Sequence, residues 1–176
     1  MRYFILFVKK TLRFLLKPLS FIPGLLMMYV IFRFSSQPGN DSAGLSRTVS
    51  ELVVIAYNKV TSSGMTAIDM ELLVTTIHPY IRKAAHVTEY FLLAMGVCLP
   101  MYVYRIRGFA LTFLGMVICV AYAALDEYHQ TFVSGRCGTY KDVLIDSIGI
   151  ILGIIVIRII GYTGRKTIFA WLSLDD

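Results

Sequence analysis

Two apolar runs near the C-terminal end of the chain, residues 109–125 and 143–160, bracket a loop crowded with ionisable side chains. Each run is close to the roughly 17–25 residues that cross a bilayer's hydrocarbon core as a helix. The stretch between and into them, LDEYHQTFVSGRCGTYKDVLIDSIGIILG (residues 125–153), holds Asp126, Glu127, His129, Gln130, Arg136, Lys141, Asp142 and Asp146. A backbone in lipid must satisfy its own hydrogen bonds, so such runs become helices. Ionisable groups at their ends are costly against lipid and normally face a protein interior or a wet cavity. The stretch therefore predicts packed membrane helices built around a polar cluster.

Composition agrees with that reading. Only 16% of residues are charged, against about a quarter in soluble domains. Residues 1–176 are read as a single all-α membrane domain. The formal charge of +6 is no nucleic-acid footprint, because the cations gather at the ends of apolar runs, as membrane proteins use them. Cys98 and Cys119 lie inside apolar runs and Cys137 in a loop. With no CxxC pair, neither a zinc site nor a disulfide framework is indicated.

The opening segment, MRYFILFVKKTLRFLLKPLS, carries Arg2, Lys9, Lys10, Arg13 and Lys17 and no acid. Lys9, Arg13 and Lys17 recur every four residues on a helix otherwise apolar, which predicts an N-terminal amphipathic helix on an anionic leaflet. The run is long for a signal peptide and lacks a small-x-small cleavage site. A first span is expected over about residues 19–34, stopped by FSSQPGND with Pro38 and Gly39 as breakers. Residues 40–78 read as amphipathic rather than spanning. Leu45, Val49, Leu52, Val53, Ala56, Tyr57 and Val60 share a stripe that Arg47, Glu51 and Lys59 avoid. TSSG interrupts the pattern, and a second short helix follows over about 66–77 with Thr66 as its cap. These two helices form a short extracytoplasmic segment that lies on the membrane or roofs the bundle.

Pro79 suits the first turn of a new helix, whose spanning part is expected over about 84–104. In its opening, PYIRKAAHVTEYFLL, the side chains of Arg82, His86 and Glu89 fall within an arc of about 60°, flanked by Lys83 and Tyr90. Further spans are expected over about 109–125 and 143–160, giving a four-helix transmembrane bundle. In the last, Asp142, Asp146, Gly149 and Gly153 share a face, and the GxxxG spacing permits a close helix approach. The basic N-terminal tail, the Arg105/Arg107 turn and the Arg165/Lys166 tail place both termini in the cytoplasm by the positive-inside bias. Both polar patches then lie on the outward side.

RKAAHVTEYFLL, DEYHQTFVSGR, the following KDVLIDSIGIILG and the early FSSQPG together resemble the VanZ-like membrane protein family, named for a teicoplanin-resistance protein. The resemblance runs from about residue 34 to 160. Positions matching its pattern are Arg82, Lys83, His86, Glu89, Tyr90, Asp126, Glu127, Gln130, Arg136, Asp142 and Asp146, with Gly149 and Gly153. Ser134 stands where the family often has proline, leaving that loop less rigid. The resemblance implies an integral cell-envelope membrane protein with a link to glycopeptide tolerance, and it supplies no reaction.

The residue types allow several chemistries. As a catalytic set, His86, Glu89, Asp126, Glu127, Asp142 and Asp146 can share acid–base work through mutual repulsion of their carboxylates, or hold a divalent cation. Arg82, Lys83 and Arg136 can hold phosphate, with Tyr90 and Gln130 beside them as further substrate-binding candidates. The partner is then a lipid-linked phosphate or other envelope precursor, or a glycopeptide. Alternatively, the same groups recognise a head group without turnover, or form a structural ionic lattice of carboxylates paired with arginines. Tyr90, Tyr122, Tyr128 and Tyr140 also suit the membrane interface, as do His78 and His129. No phosphate-cradling glycine loop, nucleophile elbow or dinucleotide fingerprint is present, and no cofactor is named by the residues. Burial of so much charge at one depth predicts that Glu89, Asp126, Asp142 and Asp146 line one pocket. Arg136 should reach into that pocket, and Arg82 and Arg136 should pair with the carboxylates.

Overall fold

In a computed structural model, which describes residues 17–164, the chain forms five α-helices and no strand among the described residues. The N-terminal amphipathic helix and the Arg165/Lys166 tail fall outside those residues. A 3-10 turn, Lys17–Phe21, leads into α1 (Ile22–Ser35). It is followed by α2 (Gly39–Thr61), α3 (Ala67–Val103), α4 (Gly108–Gln130) and α5 (Tyr140–Gly164). Four segments are long and apolar enough to cross a membrane: Lys17–Ser35, Ala67–Val103, Gly108–Gln130 and Tyr140–Thr163. Each overlaps one of the four spans expected from sequence, the second beginning well before residue 84, and the protein is an all-α, multi-pass membrane protein.

The long α3 is the hub. Helices α1, α2, α4 and α5 all pack against it, α5 most extensively. That pairing follows from the glycines of α5. A Cβ on Gly149 would lie 2.1 Å from the Val87 carbonyl oxygen, and one on Gly153 would lie 2.4 Å from that of Phe91. Only a residue without a side chain lets the two backbones meet this closely, so the GxxxG spacing does what it promised. A second close crossing joins α1 to α3, where a Cβ on Gly96 would lie 2.7 Å from the Gly24 nitrogen. The apolar core runs between the helices, with Tyr90, Leu93, Ala94 and Cys98 of α3 against Cys119, Ala123, Ile150 and Ile154.

Two sequence expectations need correction. Pro79 does not begin a helix: it lies inside α3, which is continuous for 37 residues. Proline removes one backbone hydrogen bond there, yet α2 braces the helix on the N-terminal side of Pro79. The His78 ring Nε2–H donates to the Ala43 carbonyl at 3.2 Å, and Arg47 donates to Glu71 at 2.5 Å. At 1.5 Å per residue α3 is about 55 Å long, well beyond a hydrocarbon core of about 30 Å, so part of it projects from the membrane. Thr66 does cap it, in a reciprocal box with Asp69.

The second follows from the first: the short helix expected over about 66–77 is the beginning of α3 and no separate element. Helix α2 stands by itself. It is a single 23-residue helix whose inward face is Ser46, Ser50 and Val54, not the apolar stripe. Small residues allow close packing, and the Ser50 hydroxyl is satisfied by the Ser46 carbonyl at 2.8 Å. Leu45, Val49, Leu52, Val53, Tyr57 and Val60 stay exposed on the outside.

Candidate functional site

The polar cluster sits where the C-terminal end of α1, the start of α2 and the middle of α3 meet the α4–α5 loop. Two glycines fix that junction. Gly39 N–H donates to the Ser134 carbonyl at 3.0 Å, and a Cβ on Gly39 would stand 2.0 Å from the Gly135 oxygen. Gly135 itself has φ +73°, a left-handed conformation that suits glycine. Thus the early FSSQPG and the distant VSGR are two halves of one contact.

Arg136 follows immediately and is buried. Its Nη2 donates to the Phe34 carbonyl at 2.6 Å and its Nε to the Gln37 carbonyl at 2.9 Å. The last carbonyls of a helix lack intrahelical partners and carry partial negative charge, so the guanidinium caps α1. Its charge is left without a direct carboxylate partner. Burial pushes the Arg136 guanidinium below its ordinary range, and the nearby Arg82 cation pushes the same way, against the attraction of Asp126 and Glu89.

These elements enclose a cavity of about 340 Å³. Arg82, His86 and Glu89 of α3 line it, as the helical spacing predicts, together with Asp126 and Arg136. Ser35 and Gln37 at the end of α1, Ser42 and Ser46 of α2 and Thr88 of α3 complete the polar part. Ile31, Phe34, Leu45, Val49, Ile81, Ala84 and Ala85 supply the apolar wall.

Other candidates lie around the cavity rather than in it. Tyr90 is fully buried, and its hydroxyl donates to Asp126 Oδ2 at 3.2 Å, where Gln130 Nε2 also donates at 3.0 Å. Both hold the Asp126 carboxylate from behind, so Tyr90 is not an interfacial aromatic. Tyr128 and Tyr140 remain exposed, and Tyr122 donates to the Met28 carbonyl of α1. Glu127 turns away from the cavity and accepts the Thr139 N–H at 2.9 Å. Thr139 in turn exchanges hydrogen bonds with Asp142, its hydroxyl donating at 2.8 Å and receiving the Asp142 N–H at 3.3 Å. Glu127 and Asp142 therefore brace the start of α5. Lys83 is exposed and outside the lining.

Asp146 does not line the cavity, contrary to expectation. It is 1% exposed, and neither carboxylate oxygen has a hydrogen-bond partner. Its nearest basic neighbour is His86, whose Nδ1 stands 4.0 Å from Asp146 Oδ1 and 3.9 Å from Glu89 Oε2. His86 is thus the link between the cavity and a buried, unpartnered carboxylate.

The expected arginine–carboxylate lattice is not formed. Among the described residues the arginine ion pairs are those of Arg47 with Glu51 and Glu71, on the surface of α2 and α3. Capping α1 uses two of the donors of Arg136 and leaves the others free, and Arg82 faces the cavity with no carboxylate of the described residues within 4.0 Å. Nor do any three His, Cys, Asp or Glu side chains group to hold a metal ion among the described residues.

Sequence reasoning does not single out Ser35 and Gln37, because FSSQPG serves there as a helix stop and a family motif with no side chain of it assigned to the site. Ser35 is 3% exposed and its hydroxyl has no partner, although it borders the cavity. Two successive serines before a breaker were the available signal, since hydroxyls at a span's end are well placed to meet a polar ligand.

Neither the curated proteins nor the solved structures hold a match to the chain. The family model described as VanZ/LLP1 matches residues 20–161. That range takes in all four spans except the outermost residues of the first and last, the Gly39–Gly135 junction and every residue lining the cavity. By that match over most of its length, the chain belongs to the VanZ/LLP1 family.

Proposed function

We propose that this is a cell-envelope membrane protein whose cavity faces outward and binds the phosphate-bearing head group of a lipid-linked envelope precursor. One observation carries the reading. Arg82 and Arg136 border the same cavity as Glu89 and Asp126, yet no carboxylate among the described residues lies within 4.0 Å of either, and the unpartnered Ser35 hydroxyl borders it too. Two neighbouring cations that repel one another are relieved by an anion, and guanidinium groups suit phosphate oxygens. The cationic tails and the Arg105/Arg107 turn support a cytoplasmic location for both termini and an outward location for the cavity. A contribution to glycopeptide tolerance, through capture of such a precursor, is the biological role this reading gives.

The test is binding of a polyprenyl phosphate to the purified protein in lipid nanodiscs. Arg82→Gln removes a charge-assisted contact and lowers affinity about tenfold to a hundredfold, whereas Lys83→Gln, off the cavity, leaves it unchanged. Equal affinity of the Arg82 variant and the native protein would overturn the proposal.

A second reading, turnover of the bound ester, is favoured by one feature. His86 lines the cavity and its Nδ1 stands 4.0 Å from Asp146 Oδ1, a carboxylate placed to attract the imidazolium that a general base becomes. Release of phosphate from the bound lipid, abolished in His86→Asn, distinguishes it from binding alone.

A further inference from the structure

The cavity is not walled on all sides. Helices α1 and α2 each pack against α3 but barely touch one another, so a cleft opens between them, backed by α3. The rim of that cleft is apolar and exposed: Phe34 on α1, Leu45 and Val49 on α2, and Ala84 and Ala85 on α3. Its inner end is the charged part of the cavity, where Arg82 and Arg136 stand with His86, Glu89, Asp126 and Ser35. One continuous surface therefore runs from apolar and outward-facing to a charged inner end, in which neither arginine has a carboxylate of the described residues within 4.0 Å.

We propose that this cleft is a side portal through which an anionic lipid reaches the cavity, its head group drawn in and its hydrocarbon chain left in the bilayer. This rests on the head-group reading above and names how the ligand arrives and what must be attached to it. The argument is one of matched surfaces. A lipid chain gains little by leaving lipid for an apolar groove, so a cavity that swallowed the whole molecule would offer no advantage and would bury chain against charge. A head group without a chain would need no apolar rim at all. The site's cations and free hydroxyl select an anionic head, and the side opening in the span-forming helices α1 and α3 keeps the chain in hydrocarbon. Phe34 lies at the end of a membrane-crossing segment, so the cleft begins where chain and head group meet.

The experiment compares two phosphate monoesters on the full-length protein in phosphatidylcholine nanodiscs: dodecyl phosphate, which partitions into the membrane, and methyl phosphate, which stays in water. Ala85→Trp fills the rim beside Arg82 and Glu89, and methyl phosphate binding reports whether the charged end is left intact. The substitution should weaken dodecyl phosphate about tenfold or more while leaving methyl phosphate binding unchanged. Val49→Trp, from the opposite edge, should do the same, and serves if the first variant fails to accumulate. Arg82→Gln should weaken both esters. Unchanged dodecyl phosphate binding in both tryptophan variants, with loss in Arg82→Gln, would overturn the portal and leave the head-group site standing. Unaltered binding of both esters in Arg82→Gln would sink the head-group reading itself. Methyl phosphate binding as tightly as dodecyl phosphate in the native protein would identify a soluble phosphate as the ligand and remove the need for a portal.

Discussion

Gly39 and Gly135 meet backbone to backbone, close enough that a Cβ on Gly39 would fall 2.0 Å from the Gly135 carbonyl oxygen. This contact sets Arg136 in place, because the guanidinium that follows it caps the carbonyls of Phe34 and Gln37. Gly39→Ala must push the α4–α5 loop away, at a cost of about 1–3 kcal/mol for an overpacked contact. We expect a lower melting temperature and weakened phosphate binding together. Gly44→Ala is the control: nothing lies within 4 Å of its Cβ position, and it sits inside a helix, where alanine is favoured by roughly 0.5–1 kcal/mol. That variant should melt at or above the native temperature with binding intact. Equal tolerance of both substitutions would contradict the proposed junction.

Asp146 separates function from stability. Burying a polar group without a hydrogen bond costs about 1–3 kcal/mol by mutational measures, and both of its oxygens lack partners. Asp146→Asn removes a formal charge at constant shape, so the variant should accumulate normally and resist heat at least as well as the native protein. If Asp146 serves through His86, the same variant loses turnover or the envelope phenotype. A sharply less stable Asp146→Asn protein would show instead that the carboxylate holds the helices together.

Cys137 provides a native probe of orientation. It is exposed, whereas Cys98 and Cys119 are buried. A membrane-impermeant maleimide should therefore label Cys137 in intact cells, and Cys137→Ser should abolish the signal. With Cys137 removed, a cysteine placed at Arg107 in the opposite turn should stay unlabelled until the membrane is broken. Labelling at 107 from outside would move the cavity to the cytoplasmic side.

Much of this molecule is a local consequence of its sequence. The spans follow from runs of apolar residues that must close their own backbone hydrogen bonds in lipid. The cap at Thr66 is a short-range pairing with Asp69, and Gly149 and Gly153 declare a close approach by lacking side chains. Arg82, His86 and Glu89 share a face because a helix turns through 100° per residue, whatever it packs on. What periodicity cannot specify is the partner. Tertiary structure assigned Arg136 to the end of α1 rather than to a carboxylate, because the Phe34 and Gln37 carbonyls, distant in sequence, arrive at its guanidinium. It carried α3 through Pro79, since bracing by α2 sustains a helix despite one lost bond. It also divided the acids. Glu89 and Asp126 border the cavity, Glu127 and Asp142 brace a loop, and Asp146 is left buried and unpartnered. A carboxylate's chemistry depends on the donors around it, and here Tyr90 reaches Asp126 from another helix and Thr139 reaches Glu127 across a loop, at separations that local pattern does not reach.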